Sequence, residues 1–344
     1  MNKTKKQSYI LQEGEDMIKL GIIYGGISTE HDVSKMSAKS IISNLDREKY
    51  EIHEIYINQY GKWYENDEEI YNLIWTLKEL DVVFPVLHGL GGEDGTIQGM
   101  LELLKVPYVG CGVLASSVGM DKVYTKIVFE KAGIPQAPYV YVKRKEDEYT
   151  IINEKFEEEE FIIEKITSKL QFPMFVKPSN SGSSVGVKKA STNQELKIAI
   201  EYAGQYDTKI LVEQGIEGKE VECAILDGKE ILASTVGEIM SAEDFYSFDA
   251  KYNMPESKTV IPADITEEQI EEIRKLAVKA FKAIDGKGLS RVDFFVEKET
   301  NKIYINEINT MPGFTKISMY PKLLEAVGIS YSELLDKLIE NAMK

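Results

Sequence analysis

Apolar residues fall into two kinds of run along the chain. Short continuous runs rich in Val, Ile and Tyr (IKLGIIYGG, EIHEIYIN, LDVVFPVLHG) predict buried strands. Between them, STEHDVSKMSAKSIISNL places apolar residues every three or four positions and predicts a helix entered through Ser28 or Thr29. DGTIQGMLELLKVPYVGCG reads as a helix followed by a short strand. Strands alternating with helices predict an open parallel α/β sheet over residues 18–121. Its active edge is the carboxyl ends of the strands, where Gly25-Gly26 and His88-Gly89 fall.

The pattern then changes. A second unit, residues 122–212, runs from the helix KVYTKIVFEKAG through IPQAPYVYV and an acidic insertion to the strand FPMFVKP, a Gly/Ser loop and the helix TNQELKIAIEYAGQ. Glu157-Glu158-Glu159-Glu160 in the insertion has no chemical spacing and is expected as a solvated helix face or loop. A third unit, residues 213–344, holds VEQGIEGKEVECAILDG, ILASTVGEI, a long irregular loop, the amphipathic helix ITEEQIEEIRKLAVKAFKAI, a hairpin and a terminal helix. Residues 1–17 are expected to be a disordered tail or an upstream start.

Composition narrows the setting. At 344 residues and 43% hydrophobic, the chain can bury cores in more than one domain. A net charge of −16 argues against a broad nucleic-acid surface. Cys111 and Cys223 form neither a disulfide framework nor paired metal spacing, and a reducing cytoplasmic location fits them. No apolar run reaches membrane-spanning length, so no membrane partner is expected.

The hairpin GLSRVDFFVEK–KIYINEINT is the richest in chemistry. Centred on Thr300, it sets Asp293 opposite Glu307 and Arg291 opposite Asn309, all on one face. Two carboxylates, an amide oxygen and a guanidinium suit a hard divalent cation and a phosphate, or else a surface hairpin with a cross-strand salt bridge. The loop from Lys177 to Gly186, with Ser183 and Ser184 at its centre, can cradle phosphate oxygens or be a plain turn. Glu213-Gln214 closes a strand and Glu220 lies in the next; they can read a nucleoside or be edge residues. The aromatic loop around Lys251 and Tyr252 is long enough for a lid, and its rings could equally pin it down. Glu30 suits a helix start through the macrodipole, and His88 stands at a carboxyl strand end. There is no Walker P-loop, no zinc-spaced histidine pair and no G-x-S-x-G.

In this order, GGISTEHDVS, LHGLGGEDGTIQGMLEL, MDK, VKPSNSGSSVGV, VEQGIEGKE, FYSFDAKY, SRVDF and NEINTMPGFTKISMYP resemble the D-alanine–D-alanine ligase family of the ATP-grasp superfamily. The resemblance runs from about Ile18 to the end of the chain. It implies an N-terminal α/β domain followed by a two-domain α+β ATP-grasp fold. It further implies ATP and D-alanine as substrates, a pair of Mg²⁺ ions for which Mn²⁺ can substitute, and a homodimer.

Roles carry over position by position. Lys122, Lys177 and Ser184 match nucleotide phosphate contacts, Glu213, Gln214 and Ile216 the adenine-reading strand, and Glu220 the ribose carboxylate. Asp293, Glu307 and Asn309 match the metal ligands, and Lys251 the lysine at the γ-phosphate. Glu30, linked through Ser183 to Tyr252, matches the group holding the first substrate's ammonium, with His88 nearby. Arg291 and Gly313 match the oxyanion site, and Ser318 with Met319 the second substrate's surroundings. The implied reaction makes D-alanyl-D-alanine through a D-alanyl phosphate for peptidoglycan precursors. Relatives making D-alanyl-D-lactate typically carry histidine in the lid, and Lys251-Tyr252 disfavours that product. D-Serine as the second substrate stays open, since an apolar Met319 discriminates by only about 1–3 kcal/mol. A different carboxylate–amine ligase and a non-catalytic nucleotide binder are the rival readings.

Overall fold

Among the described residues, three sheets follow one another along the chain. The computed structural model describes residues 17–240 and 258–344. The first sheet contains β1 (Ile18–Gly25), β2 (Tyr50–Ile57), β3 (Trp63–Glu65), β4 (Glu68–Glu69) and β5 (Val82–Val86), in the order β4-β3-β2-β1-β5. Strands β2, β1 and β5 are parallel. Alternation sends Leu20 and Ile22 to one face of β1 and Ile23 to the other, so each face feeds its own core cluster.

Two local outcomes differ from the expected all-parallel pattern. Strand β3 adds antiparallel to β2 and β4 antiparallel to β3, the latter two joined by a tight turn at Asn66 and Asp67 with φ of 50° and 64°. The expected strand after helix Thr96–Leu104 reduces to one isolated bridge, Tyr108 to Val83.

The second sheet is antiparallel throughout: β6 (Tyr139–Lys145), β7 (Glu148–Ile152), β8 (Glu158–Glu160), β9 (Met174–Pro178), β10 (Lys188–Ala190) and β11 (Lys209–Gln214), ordered β10-β9-β11-β6-β7-β8. The acidic run is therefore neither helix nor loop. Glu158–Glu160 is the edge strand, where charged side chains hinder edge-to-edge pairing with another chain.

The third sheet holds β12 (Gly218–Leu226), β13 (Leu232–Met240), β14 (Lys258–Val260), β15 (Leu289–Glu297) and β16 (Ile303–Asn309), ordered β14-β13-β12-β15-β16. Helix Glu267–Ala283 packs on it, started by a capping box between Thr266 and Gln269. Helices Met319–Glu325 and Tyr331–Ala342 instead carry Leu323, Leu334 and Leu338 into the core of the first sheet. The chain's end thus returns to its beginning, and Tyr50 donates to Asp336 at 2.6 Å across that junction.

Candidate active site

The hairpin β15–β16 pairs Arg291 with Asn309 and Asp293 with Glu307, the register that alternation predicts. Between Asp293 and Phe294 the register shifts, leaving Asn306 as an extra residue on β16. Asn306 and Glu307 consequently line one small cavity with Lys122, Lys126, Lys177 and Glu213. Its free space of about 10 Å³ holds little more than a water, because these side chains fill it.

Arg291 is gripped from two sides. Its Nε and Nη2 donate to Asp293 at 2.7 and 2.6 Å, and Glu222 of β12 lies 3.0 Å from Nε. Asn309 Nδ2 donates to Asp293 at 3.1 Å. Burial works against the guanidinium's charge, but Asp293 and Glu222 outweigh it and hold its pKa well above the usual value. Three carboxylates (Glu222, Asp293, Glu307) surround this single Arg, an excess of negative charge that a divalent cation would relieve. Among the described residues no three of His, Cys, Asp and Glu converge as a metal cluster. The candidate set is two carboxylates and the Asn309 amide oxygen, which suits a hard cation that keeps part of its water shell.

Opposite the hairpin stands the serine loop. Asp121 caps helix Lys122–Lys131 by accepting from Tyr124 N–H at 3.2 Å, and it also accepts from Ser179 Oγ at 2.5 Å. Val123 N–H donates to Ser179 Oγ at 3.0 Å, which stitches the helix start to the loop. Lys122 then reaches Ser181 O at 2.6 Å and lies 3.9 Å from Glu307. Ser183 and Ser184 both have positive φ, 49° and 61°, a left-handed conformation unfavourable for serine.

That turn delivers Ser183 Oγ to the Glu30 carboxylate. Glu30 precedes helix His31–Asn44 without capping it; its buried carboxylate turns instead toward Gly89 and Gly182. His88 bridges to the chain's far end. Its Nδ1–H donates to Met311 O at 3.1 Å, leaving Nε2 to accept from Ser37 Oγ at 3.1 Å. Ser37 Oγ accepts in turn from Phe314 N–H at 3.2 Å. Burial lowers the His88 pKa, which favours the neutral ring. Neighbouring Glu93 is pushed up to about 8 by burial and by Glu30, against the pull of the Gly89 and Met311 backbone.

On the remaining wall, Lys177 Nζ bonds Glu213 at 2.8 Å and lies 3.5 Å from Asn306 Oδ1. Glu213 also pairs with the buried Lys126. Burial alone would raise the Glu213 carboxyl, yet Lys126 and Lys177 hold it below the ordinary range. The adjacent Gln214 turns the other way and accepts from Gln171 N–H at 3.0 Å. Ile216 follows the strand, half-buried, and Glu220 in β12 lies close enough to Lys177 to favour its charge.

The loop carrying Gly313 is closed by Ser318, whose Oγ accepts from Thr315 N–H at 3.0 Å. Met319 is buried in the core, within reach of Gly237 and Leu323. Lys251 and Tyr252 lie outside the described residues.

Two residues of the site escape the motif reading. Lys126 sits one helical turn beyond Lys122 on the same face, a spacing that signals a shared target. Glu222 alternates with Val221 and Cys223 like any strand residue, and only the third strand reveals its place beside Arg291.

Known proteins match along nearly the whole chain. The family model described as D-ala D-ala ligase C-terminus matches residues 128–340, and that for the D-ala D-ala ligase N-terminus matches 19–76 and 73–111. The chain is 51% identical to a D-alanine–D-alanine ligase of Acetivibrio thermocellus, covering 96% of each. It is 48% identical to that of Ruminiclostridium cellulolyticum, covering 95% of each. Among solved structures, the VanG D-Ala:D-Ser ligase from Enterococcus faecalis is 36% identical with a TM-score of 0.82, covering 95% of this chain and 100% of that one. The D-alanine–D-alanine ligase from Coxiella burnetii is 34% identical with a TM-score of 0.80, covering 96% and 94%.

Proposed function

Since the chain belongs to the D-alanine–D-alanine ligase family, we propose that it joins two D-alanines through a D-alanyl phosphate, converting ATP to ADP and phosphate. The observation that carries this reading is the set of contacts Glu30–Ser183, Lys177–Glu213 and Arg291–Asp293–Asn309, with Lys122 reaching from the serine loop to Glu307 on the hairpin. An ammonium-binding carboxylate, a phosphate-binding lysine and an oxyanion-binding arginine are what the reaction needs.

A carboxylate is a poor acyl donor because oxide would have to leave, so its oxygen first attacks the γ-phosphorus of ATP. Buried Glu30, with Ser183 on one oxygen, holds the first D-alanine's ammonium. Lys122 and Lys177 meet phosphate oxygens. Asp293, Glu307 and Asn309 would hold Mg²⁺, as a pair of ions for which Mn²⁺ could substitute. When bound, the metal neutralises charge on the moving phosphoryl group. The second D-alanine's free amine then attacks the acyl carbon and expels phosphate. Arg291 and the Gly313 N–H take the developing oxyanion, a contribution of about 2.7–4 kcal/mol per donor in well-studied cases. His88 acts on the same loop, since its bond to Met311 O and the Ser37–Phe314 bond tether both sides of Gly313. The product serves peptidoglycan precursors. A homodimer working in the cytoplasm completes the proposal, and no described helix is long and apolar enough to cross a membrane.

The deciding experiment is an ATP-dependent phosphate-release assay with Mg²⁺. D-Alanine alone should support turnover. D-Alanine with D-lactate should add no depsipeptide by mass spectrometry. D-Alanine with D-serine tests the activity that the Enterococcus relative's name describes, and a mixed dipeptide in excess of D-alanyl-D-alanine would replace the first reading. No phosphate release in any arm sinks the ligase assignment.

A further inference from the structure

Glu213 is a buried carboxylate shared by two lysines that differ in what else they can reach. Lys126 is 3% exposed, on the inner face of helix Lys122–Lys131, with its ammonium 5.7 Å from the centre of the Tyr139 ring. Lys177 lies at the end of β9, its side chain 16% exposed, and already spans from Glu213 to Asn306 on the hairpin. Lys177 can therefore turn toward an incoming phosphate. Lys126 is held deep in the wall. A buried carboxylate stripped of every cation is strongly destabilising, whereas one that keeps a partner is not.

We propose that Lys126 is a positioning residue that retains Glu213 while Lys177 changes partner from Glu213 to the nucleotide phosphates. Lys177 and Glu213 both line the small cavity, so the exchange also changes its shape. Without Lys126, Lys177 is the one remaining ion-pair partner of Glu213 among the described residues, and phosphate must compete for it. The depressed Glu213 carboxyl agrees with an anion kept by two cations. This inference rests on the nucleotide reading of the cleft.

Calorimetric titration of the full chain with ADP and with adenosine, in Mg²⁺, tests it. Lys126→Met should weaken ADP by at least about tenfold (about 1.4 kcal/mol). Adenosine, which asks nothing of Lys177 and meets this pair only through the adenine-reading Glu213, should weaken clearly less than ADP. Lys126→Arg should restore ADP affinity. Lys126→Gln, uncharged but still a donor, should lose it as Met does, and serves if the Met variant fails to fold. The double variant with Lys177→Met should bind ADP no more weakly than Lys177→Met alone, because Lys126 acts through Lys177. Additive losses, an equal loss of adenosine, or unchanged ADP binding would each overturn the inference while leaving the nucleotide site standing. A wild-type chain that binds no ADP removes the nucleotide reading and the inference together.

Discussion

At the scale of residues, the site works by giving each functional group more partners than it needs at rest. Arg291 leans on both Asp293 and Glu222, and Lys177 on both Glu213 and Asn306. Glu307 offers a test of the metal set. Its side chain is 27% exposed, and its ion pair with Lys122 is long at 3.9 Å. Such a contact contributes at most about 1 kcal/mol to stability. Glu307→Gln should lower Mg²⁺-dependent turnover by at least about tenfold, the lower bound for disturbing even an outer metal contact, while the chain still folds. Titration with Mg²⁺ should show the apparent requirement rising in parallel. Normal turnover at normal Mg²⁺ would remove Glu307 from the metal set. The pairing of Asp293 with Glu307 matches a hairpin centred on Thr300, but nearer the turn Phe294 pairs with Ile305, and only the bulge at Asn306, which no local pattern announces, brings Asp293 opposite Glu307. Glu222 was not legible: its partner lies on a neighbouring strand whose register no local pattern reveals.

Elements tell the same story with backbone geometry. Sequence identified a Gly/Ser loop after β9, but composition cannot say which φ values it adopts. The left-handed pair at Ser183 and Ser184 aims Ser183 at Glu30, and Gly182 makes room for it. A Cβ on Gly182 would stand 2.5 Å from Glu30 Oε2, although this glycine needs no positive φ. Gly182→Ala should therefore push Glu30 and the loop apart without straining the chain. The expected result is a higher KM for the first D-alanine, by roughly tenfold if the ammonium contact weakens by about 1.4 kcal/mol, with little change in KM for ATP. An equal rise in both would mean that the loop moved as a whole and that Glu30 has no separate role. The edge strand Glu158–Glu160 marks another limit of local reading. Its charges suggested solvent exposure correctly, but only the neighbouring β7 makes it a strand.

Across the whole molecule, the N-terminal sheet and the C-terminal helices share one core, and His88 is the polar tie at its edge. Through Nδ1–H to Met311 O and through Ser37 to Phe314, it fastens the carboxyl end of β5 to the loop bearing Gly313. Burial is the main cause of its lowered pKa; Glu30 opposes that shift and Arg291 reinforces it. In the unfolded chain the same ring titrates near about 6.5. The unfolded state therefore takes up a proton as pH falls below that value, while the folded state does not. Stability attributable to neutral His88 is present above about pH 6.5 and is lost as pH falls toward the folded pKa, at about 1.4 kcal/mol per unit of depression. In His88→Asn the Nδ2 can still donate to Met311 O, but nothing titrates. The variant should be less stable than the wild type at pH 7.5, having lost the Ser37 acceptor. The gap in unfolding midpoint should narrow steadily toward pH 5.5, because the remaining titrating groups are common to both proteins. Thermal unfolding across that range checks it, and parallel curves would show that His88 is not held neutral. Activity should follow the tie as well, with kcat of the variant falling more than KM for ATP, since the proposed role of the Gly313 loop is in the second chemical step rather than in nucleotide binding.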